Sequence, residues 1–135
     1  MTIVPSMGDL QTAARTIFGE ARGESDEGQR WVAATIITRA QRGGWWGSTL
    51  GTVCKKPWQY SCWNARDPNR RVVESLQPDE PEFLRALENL TQALRHGVGE
   101  TPTHYHTTSI RPAWSDAESM RFITTIGRHR FYEEI

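Results

Sequence analysis

Between Leu10 and Ala21 the apolar residues recur at helical spacing. Leu10, Ala13, Ala14, Ile17, Phe18 and Ala21 fall on one stripe, the i, i+3, i+4, i+7 pattern of a one-sided helix. Asp9 is the expected N-cap, which leaves residues 1–8 as an N-terminal tail, and Gly23 is the expected stop. A second helix is predicted from Asp26, with Gln29 three residues on as in a capping box. Its apolar side is Trp31, Ala33, Ala34, Ile36, Ile37 and Ala40, and Gly43-Gly44 ends it. A third helix has Pro81 in its first turn, Phe83, Leu84, Leu87, Leu90 and Leu94 on one face, and Gly97 at its close. The middle of the chain is less periodic. A helical turn is predicted over residues 48–53, a strand or extended loop over 59–63, and a turn-rich loop over 64–71 around Asp67-Pro68-Asn69. After Gly97 the period changes. Residues 103–109 and 121–132 are rich in Thr, Ile, Phe and Tyr, with Gly127 as a turn signal, and read as short strands of a small antiparallel sheet. Helices first and strands late make the class α+β.

Composition narrows the picture. A chain of 135 residues supports a single core, so residues 9–135 are expected to form one domain, acting as a monomer. Formal net charge is zero, so nothing global points to nucleic acid or an anionic membrane as partner. The basic groups Arg39, Arg42, Lys55, Lys56 and Arg66, Arg70, Arg71 are diluted by Trp, Gly or Asp and read as solvated faces. No cation-led apolar segment opens the chain and no long apolar run occurs, so neither a signal peptide nor a membrane helix is visible. Cys54 and Cys62 could close one short-loop disulfide or stay as two core thiols; the missing signal peptide favours thiols. Six tryptophans are a heavy load. Trp31 reads as core, Trp45-Trp46 as a groove rim or a buried turn, and others could stack on sugar rings.

The candidate chemistry centres on Glu20. It sits at the edge of the first helix's apolar stripe, near the helix C-terminus. Burial and the negative end of the helix dipole both favour a protonated carboxyl there, which is what a general acid for glycosidic cleavage needs. Arg22 points to another face. From position alone, a surface glutamate paired with Arg22 or Arg15 is the more ordinary reading, and the surrounding signature reverses that preference. Glycoside hydrolysis normally uses two carboxylates. Glu24, at i+4, is the nearest possible partner, roughly 6 Å away if the helix continues through Gly23; otherwise it caps the next turn. Asp67 and Asp116 are weaker candidates in loops. His104 and His106 alternate on a predicted strand and face one side; with His129 and Asp116 or Glu118 they could bind zinc. Tyr105, on the other face, reads as core.

Several segments, taken in order, resemble one family. They are Ala13 to Glu24 (AARTIFGEARGE), Gly28-Gln29, Val32 to Arg39, Gln59-Tyr60-Ser61, Thr103-His104-Tyr105-His106 with Pro112 and Trp114, and Gly127-x-His129-x-Phe131-Tyr132. Together they are similar to the SleB/CwlJ type of bacterial cell-wall hydrolases, from about Leu10 to Tyr132. The resemblance implies a lysozyme-like arrangement, a helical body beside a small sheet with a substrate groove between. It also implies a lytic transglycosylase acting on the N-acetylmuramic acid–N-acetylglucosamine backbone of peptidoglycan. Glu20 would be its sole acid/base, with no cofactor and no metal. Thr38 departs from the family's Asn and Tyr60 from its Phe. Thr38, Gln59, Tyr60, Trp63, His104, His106 and Trp114 become the expected substrate-binding set, the histidines supporting the groove floor by hydrogen bonds. The alternatives are a zinc amidase or peptidase built on the histidines, and a non-catalytic glycan-binding module. A domain without a visible secretion signal suits a phage endolysin, made in the host cytoplasm and acting on the wall, or a phage-tail component.

Overall fold

The computed structural model describes residues 3–135. Helix α1 spans Met7–Ala21, α2 Asp26–Arg42, α3 Leu50–Lys55, α4 Pro68–Ser75 and α5 Pro81–His96. Strands β1 His104–Thr107, β2 Met120–Ile126 and β3 His129–Glu134 follow. The α+β organisation is as the sequence implies.

Helix α1 starts earlier than the pattern suggests. Ser6, not Asp9, is its N-cap: the Ser6 hydroxyl accepts from the Asp9 backbone N–H, and the Asp9 carboxylate accepts from the Ser6 backbone N–H. Such a reciprocal box is worth about 1 kcal/mol. The second Asp9 oxygen accepts from Gly51 N at 3.0 Å and ties α1 to α3. The expected tail is therefore largely helix entry, with Ile3 packed on the core; Met1 and Thr2 lie outside the described residues. Ser25 likewise caps α2, one residue before the expected Asp26. Gly43, in the left-handed region at φ 66°, stops it.

Two central expectations change. Residues 59–63 form no strand; Ser61–Trp63 is a 3₁₀ turn. Residues 64–71 are not all loop, because Asp67 caps α4 through the Asn69 N–H and Pro68 sits at its first position. Asp67 thus has a structural role.

Helices α1, α2 and α5 pack on one another, with α3 and α4 against α1. Ile17, Val32, Ile36, Leu50, Val73 and Leu90 are fully enclosed. Leu84 of α5 is exposed, so that face is narrower than the sequence stripe. The sheet has order β1-β3-β2, all antiparallel, with a bulge between Phe122 and Thr124. Phe131 of β3 meets Trp31 of α2 at 5.2 Å and joins sheet to helices. Arg39, expected on a solvated face, is buried instead. Its Nε donates to Thr103 O at 2.8 Å, and its guanidinium lies over Trp46 and Tyr60. Cys54 and Cys62 are free and buried, and burial pushes the Cys54 thiol up to about 12. Among the described residues no helix is long and apolar enough to cross a membrane.

Candidate active site

Glu20 lies in the last turn of α1, half-buried, at the junction of three elements. Its Oε1 accepts from the Tyr105 hydroxyl on β1 at 2.7 Å. Its Oε2 accepts from the Ser61 hydroxyl and the Cys62 backbone N–H, each at 3.3 Å, on the 3₁₀ turn. Gly19 makes this approach possible. A Cβ there would come within 2.6 Å of Val73 Cγ1 and 2.8 Å of Cys62 Cβ, so only glycine lets α4 and the turn close on α1 beside the carboxylate. Burial and the adjacent Glu20 charge hold the Tyr105 phenol well above its usual range. Tyr105 is therefore a fixed neutral donor rather than mere core. Its ring is set by Phe131 at 5.6 Å and by the edge of His129 at 4.9 Å.

The Glu20 cleft, of about 400 Å³, is also lined by Glu24, Asn69, Thr107, Arg128 and His129. Glu24 shares the cleft but not the helix, because α1 ends at Ala21 with Arg22 as its cap. The condition for an i, i+4 pair on one helix, continuation through Gly23, is therefore not met. The Glu24 side chain is only 5% exposed and is bound by the β2–β3 turn. Its Oε1 accepts from Arg128 N at 2.9 Å and its Oε2 from Arg128 Nε at 3.0 Å. Burial alone would raise its pKa, but the Arg128 hydrogen bonds and charge, with His129, outweigh burial and lower it. Gly127 stands at φ 57°, and a Cβ there would strike Glu24 Oε1. Both carboxylate oxygens are committed to holding the hairpin against α1. Arg22 also lines the cleft, bonded to Asn69 and lying over Phe18.

The expected substrate-binding set is dispersed. Tyr60 is 2% exposed, with its hydroxyl 2.9 Å from Thr35 Oγ1. Thr38 is 5% exposed and donates to Ala34 O of its own helix. Neither presents a group to a groove; both sit in core positions of the apolar body, where a polar atom must be satisfied internally. Gln59 and His104 line a separate cleft of about 540 Å³ with Trp45, Trp46 and Arg42. Trp63 donates its indole N–H to Thr16 Oγ1 at 2.8 Å and borders a third cleft.

His104 and His106 do share one strand face, as expected. Both contact Trp114, and His106 stacks on Tyr132, whose hydroxyl lies 2.9 Å from His106 Nε2. Burial and the Arg39 and Arg42 charges lower the His104 pKa to about 4. His129 is paired with Thr107 in the strand register and lies with Tyr105 and Phe131 on the opposite face. The three histidines therefore do not converge, and Asp116 is taken by Arg111 at 2.8 Å. The proposed zinc constellation is corrected on that geometry; among the described residues no group of three or more potential ligands is assembled.

Sequence reasoning missed Tyr105, Ser61, the Cys62 N–H and His129 as neighbours of Glu20. Ser61 was within the Gln59-Tyr60-Ser61 match, and Tyr105 was visible as the odd residue of His104-Tyr105-His106.

A mostly helical body beside a three-stranded antiparallel sheet forms a lysozyme-like fold, and one carboxyl is oriented from three of its elements. The family model for cell wall hydrolases matches residues 23–132, and the chain belongs to that family. The matched range opens just after Glu20, whose candidacy rests on the geometry above and on the signature around it. The catalytic domain of the germination-specific lytic transglycosylase SleB from Bacillus anthracis is similar in fold, with a TM-score of 0.75 at 24% identity over 96% of this chain and 100% of that one. The catalytic domain of the Bacillus cereus SleB protein gives a TM-score of 0.76 at 23% identity, over 96% and 93%. No curated protein sequence matches the chain significantly.

Proposed function

We propose that this cell wall hydrolase cleaves the N-acetylmuramic acid–N-acetylglucosamine bond of peptidoglycan as a lytic transglycosylase, with Glu20 as acid and then base. The observation that carries this reading is one carboxyl, open to a cleft and oriented by Tyr105, Ser61 and Cys62.

The protonated Glu20 gives its proton to the glycosidic oxygen as the C1–O bond breaks and the leaving sugar departs with a hydroxyl. The muramic acid 6-hydroxyl then attacks C1, forming the C1–O6 bond, and returns its proton to Glu20. The product is a 1,6-anhydro ring, and the enzyme regains its starting state. Tyr105, held neutral, keeps one oxygen aligned while the other exchanges the proton. A hydrolytic route through a second carboxylate is disfavoured, because Glu24 is bound at both oxygens by Arg128. With its side chain 5% exposed and anchored to the turn, it presents little surface from which to orient a water.

Digestion of purified peptidoglycan followed by mass spectrometry of the soluble fragments tests the reaction type. Fragments ending in 1,6-anhydromuramic acid are expected. Reducing ends alone, 18 Da heavier by one water, would replace this mechanism with hydrolysis.

A further inference from the structure

A cleft of about 820 Å³, roomier than the one that holds Glu20, lies elsewhere on the molecule. It lies between the Ser61–Trp63 turn and the start of α4, and Trp58 and Trp63 supply its aromatic walls. Trp58 is 81% exposed, and it is the sole non-glycine with positive φ among the described residues, at 68°. A bulky residue in the left-handed region costs on the order of 1 kcal/mol, and its ring gains no burial in return. Lys55 Nζ sits 4.8 Å over the Trp63 ring. The lining charges do not cancel. Asp67 is used as the α4 cap, and Glu74 faces Arg70 at 3.6 Å. Lys55 and Arg66 have no acidic partner among the described residues. The exposed Trp58 indole beside two uncommitted cations suits a ligand that has both a pyranose face and a carboxylate.

We propose that this cleft is a distal subsite for a peptide-substituted sugar of the glycan strand, with the ring on Trp58 and a stem-peptide carboxylate on Lys55 and Arg66. The inference rests on the reading of peptidoglycan as substrate. Its second support is a shared element: the turn whose Ser61 and Cys62 hold Glu20 ends in Trp63, which lines this cleft. The subsite would favour strands that still bear their stem peptides over bare ones.

The test is equilibrium binding of soluble glycan strands to the Glu20→Gln protein, which cannot consume them on this account. The strands are used intact and after conversion of their carboxylates to methylamides with carbodiimide and methylamine. Trp58→Ala should weaken binding of both forms by roughly fivefold. Arg66→Glu should weaken intact strands by about fivefold at low salt, with the difference shrinking in high salt, and leave methylamidated strands unaffected. Both residues are exposed, so the melting temperature of each variant should match the parent. Equal affinity of the variants and parent for intact strands would overturn the subsite, as would an Arg66→Glu loss of the same size on both strand forms. Cleavage of the same strands by the Glu20-containing protein, followed in parallel, separates the two readings. Cleavage with no variant effect sinks the subsite alone, whereas no cleavage at all sinks the substrate assignment beneath it.

Discussion

Tyr105→Phe is the smallest change that bears on the site, since it removes one oxygen and keeps the ring. The ring is held by Phe131 and His129 whatever the hydroxyl does, so the sheet should keep its place and stability should fall by about 1 kcal/mol. The effect on Glu20 is larger. Of its three donors Tyr105 is the short one, at 2.7 Å against 3.3 Å for each of the others. Hydrogen bonds to charged groups contribute roughly 1.5–3 kcal/mol. If about 1.5–2 kcal/mol of that is alignment used in the transition state, kcat falls roughly 10- to 30-fold. The half-saturating strand concentration should hardly move, because Tyr105 is a positioning residue that acts through Glu20. Initial rates of soluble muropeptide release across a range of strand concentrations measure both terms. A kcat within twofold of wild type, in a variant that stays folded at the assay temperature, would refute the claim that Tyr105 orients the acid.

Three further outcomes follow from the same geometry. Gly19→Ala forces its Cβ onto Val73 and Cys62, so the turn must move off α1. Activity should drop at least tenfold with a stability loss of 1–3 kcal/mol, and wild-type rates would show that the turn does not need to close. Glu24→Gln keeps the shape but removes the charge held by Arg128, and should cost roughly 2–3 kcal/mol in denaturant unfolding at pH 7. Because the folded Glu24 pKa is depressed, its contribution is present above the unfolded carboxylate pKa and lost as pH falls below it. The variant and wild type should therefore converge under acid, and a constant gap from pH 7 to pH 3 would contradict the assignment. His104 is also depressed, to about 4, so the unfolded chain takes up its proton first. Stability should decline from about pH 6.5 towards pH 4, by on the order of 2 kcal/mol after allowance for its partial exposure. His104→Gln should flatten that part of the curve, and an unaltered slope would place the effect elsewhere.

Helices α1 and α5 were readable because each buries one face, which Leu10 to Ala21 and Phe83 to Leu94 print at 3.6-residue spacing, whereas α2 is enclosed on all sides from Trp31 to Ala40 and its sequence stripe understates its burial. The hairpin was readable from Gly127 between two β-rich runs. Their ends were less so, since Ser6 and Ser25 cap through bonds that compete with equally suitable neighbours at Asp9 and Asp26. The segment from Gln59 to Arg71 has no period because tertiary contacts shape it: Tyr60 points inward to Thr35, while Ser61 and Cys62 turn to Glu20. Glu20 stood out because its motif is local in sequence. Its donors come from 41, 42 and 85 residues away, and no pattern along one helix can show them. Tyr60 and Thr38 misled for the opposite reason: an aromatic or polar residue looks the same on paper whether its hydroxyl meets a ligand or another core residue.

The central claim is that Glu20 alone carries the proton. Glu20→Gln keeps the shape and the hydrogen bonds available to an amide oxygen but can neither give nor take that proton. Wild type and Glu20→Gln should be incubated with the same purified peptidoglycan and the soluble products identified by mass spectrometry. The account predicts anhydro-muropeptides from the wild type and none above background from a variant that still binds the strands. Anhydro products from Glu20→Gln at an undiminished rate would contradict it.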